Sequence, residues 1–379
     1  MSAESSFSER EALMILNDLP NIGPISLNRL LAEFDHDPIR ILGADRRRLE
    51  AVRGIGPESS AAIANWREHF DLERERVRLA QAGAHFVTPR DEGYPKLLRE
   101  IHDPPIGLYQ KGDYAFDRPC IALVGSRRTT LYGQTVAEKL ARQLAGMGFC
   151  VVSGLARGID TAAHEGALAV GGRTVAVIGT GLDIIYPSEN LGLYRRIAES
   201  GAVLSEFPFG RKADRQSFAM RNRIVSGMCE AIVVVESDVD GGAMITARFA
   251  GEQGRLIFAV PGRIDQPTSA GCHQLIRDGA TLLTSVDDIL SELNYLEGLR
   301  PAAIPPKPGA AAEVTGAPEL AADEKAVLEQ LRGGSMAAAD DIAAAAGLSI
   351  AGTSAALMML ELKKLVTRHA DGRFEARSS

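Results

Sequence analysis

CIALVGSRRTTLYGQTVAEKLARQLAGMGFCVVSG, residues 120–154, decides the fold. It opens with an apolar run of strand length, CIALVG (120–125), and passes through a polar turn. A helical stretch, LYGQTVAEKLARQLAGMG, follows, and a second apolar run, FCVVSG (149–154), closes it. Strands apolar at every position are buried on both faces, and a helix between two of them makes a parallel crossover. Four more such runs follow: TVAVIG (174–179), AVLSE (202–206), AIVVVE (231–236) and RLIFAV (255–260). Helical stretches TAAHEGALAVGG, SENLGLYRRIAES and GAMITARFAGEQG lie among them. Residues 81–297 therefore read as an α/β domain, a doubly wound Rossmann-like parallel sheet covered on both sides.

The flanks differ in kind. Residues 1–80 read as short helices with glycine turns, and LPNIGPISLNRLL (Leu19–Leu31) resembles VRGIGPESSAAIANW (Val52–Trp66). Each sets an apolar residue and a Gly-Pro step before an amphipathic helix. That is the pattern of a helix-hairpin-helix (SAM-like) domain able to hold a DNA phosphate at a helix start. A plain helical packing unit with glycine caps fits equally. Between this unit and the sheet, 83–87 reads as a short strand. The proline-rich DEGYPKLLREIHDPPIGLYQKGD reads as an extended, surface-hugging segment. Residues 298–318 form a Pro/Ala-rich linker, and 319–379 read as three helices and a strand pair, a winged-helix-like domain. Its third helix, near Ala351–Lys364, carries almost no side chains able to read base edges, which favours a packing or partner-binding role.

A chain of 379 residues accommodates two or three domains, and 45% hydrophobic with 24% charged residues is the composition of a globular protein. A formal net charge of -7 argues against a protein that coats nucleic acid with overall positive charge, but not against a local basic groove. Cys120, Cys150, Cys229 and Cys272 are widely spaced, with no CxxC pair. The first three sit in or beside apolar runs as small core residues, so neither a disulfide framework nor a metal site is expected. The N-terminus lacks a signal-peptide pattern and no apolar run approaches membrane-spanning length, so a cytoplasmic location without membrane contact is expected.

Ligands of an open parallel sheet sit at the carboxyl ends of its strands. Five loops there are rich in glycine, hydroxyls or arginine: Gly125-Ser126-Arg127-Arg128, Ser153–Asp160, Gly179–Asp183, Ser205–Arg223 and Asp240–Arg248. Helix-start amides together with arginines make an anion site. The fourth loop, SEFPFGRKADRQSFAMRNR, interleaves Arg211, Lys212, Arg215, Arg221 and Arg223 with Phe207, Phe209 and Phe218. Guanidinium forks bind phosphate oxygens, and a ring offers a face to an unstacked base. Taken alone, the segment is better read as a solvated loop leading into a helix with core Phe and Met; the loops around it favour the anion site. No GxGxxG follows the first strand and no GxxxxGK[ST] exists, which disfavours a dinucleotide cofactor and an NTPase. A nucleotide hydrolase like the LOG proteins would need an acid after Gly241-Gly242, where Ala247 and Arg248 stand.

The motifs GSR…YG, SGLARGIDTAAHEGAL, GTGLDIIYP, LSEFPFG, FAMRNRIVSG, GGAMITARFA and AVPG…LIRDGA, in that order, closely resemble the DprA/Smf family of bacterial DNA-processing proteins. The resemblance is strong over about residues 84–292 and looser in the flanks. It implies a non-enzymatic, cofactor-free binder of single-stranded DNA that protects strands in natural transformation or recombination, loads the RecA recombinase, and acts as a homodimer. By match to the family motifs, Gly125, Ser126 and Arg127 would hold a phosphate, as would Gly154 and Arg157. Arg215 would contact the backbone and Phe218 would stack on a base, while Arg221, Asn222 and Arg223 would fix the backbone or the sheet's edge. Alternatives are the LOG-like hydrolase and a duplex DNA-binding adaptor using the terminal domains. Two departures from the family pattern stand out. Gly241-Gly242 replaces a common Ser-Gly, and Gly271-Cys272-His273, read as loop variation, replaces Gly-Thr-Asn.

Overall fold

A computed structural model of the chain describes residues 7–294, 320–331, 335–369 and 371–376. The linker expected at 298–318 lies outside the described residues. Two compact units emerge, one of Met1–Thr129 with Val136–Ile304, the other of Thr130–Thr135 with Pro305–Ser379.

The larger unit begins with seven short helices: α1 (Glu9–Asp18), α2 (Pro24–Glu33), α3 (Pro38–Leu42), α4 (Arg46–Glu50), α5 (Pro57–Ala64), α6 (Trp66–His69) and α7 (Leu72–Ala82). The sequence repeat is a structural one. Asn21 and Gly54 both take left-handed backbone, at φ 61 and φ 92. Gly23 and Gly56 then cap α2 and α5, each with proline at the first turn. The hairpins brace each other, because the Ser59 hydroxyl donates to the Asn21 carbonyl at 2.8 Å and the Ser26 hydroxyl reaches the Gly54 carbonyl at 3.5 Å.

Nine strands form the sheet: β1 (Ala84–Val87), β2 (Leu108–Lys111), β3 (Cys120–Val124), β4 (Cys150–Ser153), β5 (Thr174–Ile178), β6 (Ala202–Ser205), β7 (Ala231–Val234), β8 (Leu256–Ala259) and β9 (Thr281–Leu282). Their order is β1-β2-β6-β5-β4-β3-β7-β8-β9. From β6 to β9 all pairings are parallel, whereas β1 and β2 add an antiparallel edge. The six expected apolar runs are the parallel core; β2 and β9 are additions. The proline-rich segment does not hug the surface. Tyr94, Leu98, Ile101 and Ile106 are buried, the Tyr94 hydroxyl donates to the Pro105 carbonyl at 3.0 Å, and the segment feeds β2 against β6.

The connections are α8 (Leu131–Gly146), α9 (Ile159–Leu168), α10 (Leu191–Ser200), α11 (Arg215–Gly227), α12 (Gly242–Glu252), α13 (Pro267–Arg277) and α14 (Val286–Glu292). Alternate strand residues go to opposite faces, as the pleat requires. Ile121, Leu123, Val151 and Val233 pack under α8, α9 and α14, while Ala122, Val124, Val152 and Val234 pack with residues of α11, α12 and α13. The helical N-terminus shares a core with β5, β6 and α10 through Leu16, Phe34, Ala176, Val203 and Ile197. No break in packing therefore falls at residue 80. Cys272 is part of α13 rather than a loop and is fully buried, its thiol directed at the Val234 carbonyl 3.5 Å away.

The smaller unit contains α15 (Ala322–Gln330), β10 (Met336–Ala337), α16 (Ala339–Ala346), α17 (Ile350–Leu362), β11 (Val366–Arg368) and β12 (Phe374–Ala376), the strands ordered β10-β12-β11. Val327, Leu331, Ile342, Leu357, Leu360 and Phe374 fill its core, and Lys363 pairs with Glu324 at 2.6 Å. This is the expected three-helix winged arrangement. Ile350, Met358 and Leu362 stay exposed along α17. Among the described residues no single helix is long and apolar enough to cross a membrane.

Candidate nucleic-acid interface

Because the chain runs from β3 outward to β6 and then returns to place β7 on β3's other side, the loops after β3, β4 and β7 meet at one crevice. Backbone bonds lock them together. The Ser126 amide donates to the Glu236 carbonyl at 2.7 Å, and the Ile159 amide to the Ser126 carbonyl at 3.3 Å. Gly158 lets the first two loops close: it adopts φ +76, and a Cβ there would stand 2.3 Å from the Ser126 carbonyl oxygen. Further along the rim, the Gly181 amide donates to the Arg211 carbonyl at 2.9 Å and ties the loops after β5 and β6.

The exposed groups converge on one ring. The Arg127 guanidinium lies 4.9 Å from the Phe218 centroid, and the Tyr186 ring stands 5.7 Å from Phe218 with an interplanar angle of 49°. Phe218 itself is half-buried in the first turn of α11. Arg215, the first residue of that helix, is exposed, as are Arg128 and Lys212. Asp214 caps α11 by accepting from the Ser217 amide at 2.7 Å. Arg157 is exposed on the neighbouring loop and pairs with Glu189. Asn222 is half-buried, and its amide donates to the Gly242 carbonyl at 3.3 Å.

Other residues expected to touch the ligand are turned to different tasks. The Ser126 hydroxyl accepts from the Arg128 amide at 3.1 Å and donates to the Arg128 carbonyl at 3.0 Å, so it shapes its own turn. The Gly154 amide is spent on Asp160, at 3.1 Å. Arg221, 4% exposed, lies beneath the Gly154 loop and donates to the Val177 carbonyl at 2.6 Å. A Cβ on Gly154 would come within 1.7 Å of its Nη1, so glycine is what admits the guanidinium. Arg223 is 2% exposed and away from the rim; its Nη2 reaches both Glu206 oxygens at 2.5 and 2.6 Å, and its Nε lies 3.2 Å from Asp103. Arg221 and Arg223 were expected to fix the backbone or the sheet's edge; their burial corrects the first alternative, and both are interior supports.

Burial brings Arg221 down to about 10, against the pull of Asp160. Desolvation likewise pushes the Asp160 carboxyl up, with Arg221 and the two loop amides opposing it. His164 falls to about 3 because it is wholly buried, with Arg221 adding repulsion, and its neutral ring packs 2.7 Å from the Thr174 hydroxyl. It is a core histidine. Glu236 is committed inward, accepting from the Thr129 hydroxyl at 2.5 Å. Cations and aromatic rings face solvent beside the exposed carboxylates Asp183, Glu189 and Asp214. Sequence reasoning passed over Tyr186, which lies inside GTGLDIIYP but only tertiary packing brings to Phe218.

A family model described as DNA recombination-mediator protein A matches residues 85–294, and one described as the DprA winged helix domain matches residues 309–372. The chain belongs to the DprA/Smf family. Protein Smf of Synechocystis is 33% identical over 98% of this chain and 99% of its own length. The DNA processing protein DprA of Streptococcus pneumoniae is 44% identical over 54% of this chain and 73% of its own. A solved structure of the S. pneumoniae protein superposes with a TM-score of 0.65 at 34% identity, covering 76% of this chain and 99% of that one. A second solved family structure, from Helicobacter pylori, gives a TM-score of 0.51 at 31% identity, covering 56% and 98%. That work describes the single-stranded DNA binding mode of the H. pylori protein.

Proposed function

We propose that this protein binds single-stranded DNA without sequence preference along the carboxyl rim of its sheet. There it protects the strand and promotes RecA loading during transformation or recombination, as a cytoplasmic homodimer and not as an enzyme. One observation carries the reading: Arg127 and the Phe218 ring lie together at the crevice, 4.9 Å apart, in a rim whose open side chains include Arg127, Arg128, Arg157, Lys212 and Arg215. Guanidinium groups pin the backbone, and a ring stacks on any base, so affinity arises without reading base edges. Arg127, Arg157 and Arg215 are the phosphate contacts and Phe218 the stacking ring. A Cβ at Gly125 would stand 2.8 Å from the Glu236 carbonyl oxygen, so glycine lets the loops after β3 and β7 meet, while Asn222 borders the groove. The binding mode described for the H. pylori relative supports assigning this ligand to the chain.

The hydrolase alternative gains nothing from the rim, because Asp160 and Glu236 are engaged with loop amides and with Thr129. The duplex-adaptor alternative gains nothing from α17, which exposes Ile350, Met358 and Leu362 where a recognition helix needs polar readers. The test is fluorescence anisotropy of labelled oligo-dT against a duplex of matching length across a salt series. Tight, salt-sensitive binding to the single strand with weak duplex binding is expected. Equal or duplex-preferring binding would remove the rim from the argument.

A further inference from the structure

We infer that Tyr186 is a second nucleobase-stacking subsite, and that the angle between its ring and Phe218 is what selects single strands over duplex. The inference rests on the single-strand reading above and extends it. Phe218 is hemmed in. Arg127 covers the ring at 4.9 Å, Arg221 lies 6.0 Å away from below, and a Cβ at Gly179 would stand 3.1 Å from its edge. A base reaches its face only as Arg127 swings off to a phosphate. Tyr186 is different. It is 45% exposed although its aromatic body would gain from burial, and it is held outward at the rim with Arg157 within interaction range. An open ring beside a cation, here Arg157 with its partner Glu189, is an arrangement that holds a base with its phosphate.

The geometry then excludes paired DNA. Bases within a duplex strand lie parallel at about 3.4 Å spacing. The two rings stand 5.7 Å apart and are tilted by 49°, so no two stacked, parallel neighbours can cover both. A strand engages both rings only if it turns between them and splays two bases, which an unpaired chain does freely and a duplex does only by melting. Tyr186 thereby joins the contacts that supply affinity to the property of selectivity.

The experiment measures anisotropy of labelled oligo-dT, and of the same strand built with abasic residues, on the full-length protein and its variants. Tyr186→Ala should weaken oligo-dT binding about tenfold and leave the salt slope unchanged, because stacking releases no counterions. Tyr186→Phe should rescue the affinity, since it keeps the ring. On the abasic strand the Tyr186→Ala defect should vanish. Wild-type affinity in Tyr186→Ala, an equal loss on the abasic strand, or failure of Tyr186→Phe to rescue would each overturn the subsite. Should Tyr186→Ala lose its fold by circular dichroism, Tyr186→Leu keeps the bulk without the flat face and carries the same expectations. Wild-type protein that fails to bind oligo-dT would overturn the proposed function, and this subsite with it; wild-type binding with an unaffected Tyr186→Ala overturns the subsite alone.

Discussion

Replacing Arg127 with alanine separates binding from folding. The side chain is exposed and makes a cation–π approach to Phe218 at 4.9 Å. An exposed contact of that kind contributes about 0.5–1 kcal/mol, so the loss of stability should stay below about 1 kcal/mol. Binding should suffer more. A charge-assisted hydrogen bond to a phosphate is worth about 1.5–3 kcal/mol net, or roughly 10- to 150-fold in affinity. Losing one phosphate contact on a single strand should make the plot of log affinity against log salt shallower by about 0.7. Wild type and variant should therefore converge as salt rises, the gap narrowing roughly 2.6-fold over a fourfold increase in salt. Oligo-dT anisotropy at several salt concentrations reads both quantities, and a thermal melt confirms the fold. Arg196→Ala is the control, an exposed arginine paired with Glu165 at 2.8 Å on α10. An Arg127→Ala slope equal to wild type, or a defect no larger than the control's, would refute the assignment.

Three further outcomes follow from the interior beneath the rim. Gly154→Ala places a Cβ 1.7 Å from Arg221 Nη1, forcing the guanidinium off the Val177 carbonyl; thermal melts should show about 1–3 kcal/mol of destabilisation, and an unchanged melt would mean Arg221 has room to move. Glu206→Gln removes the buried one of the two carboxylates on Arg223, leaving Asp103 at 3.2 Å, and should cost up to about 3–5 kcal/mol in urea melts, much of it regained in the double variant with Arg223→Met. Asp18 is raised from 3.8 to about 7, first by burial and then by repulsion from Glu75. The folded state thus holds its proton more tightly than the unfolded state, and stability drains away as pH climbs from 3.8 to about 7. Asp18→Asn should raise the melting temperature at about pH 8, the gain shrinking as pH falls towards 4; a pH-independent difference would remove the carboxyl from the account.

The parallel core was legible because strands buried on both faces have no polar alternation to obscure them, as CIALV and CVVS illustrate. Of the antiparallel edge only β1 was legible, at 83–87. β2 follows a double proline, and pairing with β1 and β6 is what turns LYQK into sheet. Within α11 the residue types were legible but their directions were not. At about 100° per residue, Arg215, Phe218 and Asn222 fall within an arc of about 60°, whereas Arg221 and Arg223 lie roughly 120° and 80° from Arg215 on either side. The three basic residues of α11 thus divide into a rim contact and two interior supports, a division fixed by helix phase and by the acids the fold supplies from afar, Glu206 and Asp103. Cys272 and His273 misled for a related reason. A glycine before them suggested a loop, while Gly271 in fact lets α13 press on the chain at Ser237 and Asp238.

The braced hairpins at the N-terminus have a consequence for how this chain can change over evolutionary time. Each serine closes the other half's turn, Ser59 on Asn21 and Ser26 on Gly54. Loss of either half would take away the bond that braces the survivor's turn, which favours keeping the two hairpins as a pair. The surface is not tied in the same way: Glu58 stands at the second helix start where the first has Ile25. Duplication here froze the frame and released the surface, leaving two matched scaffolds on which separate specialisations can accumulate.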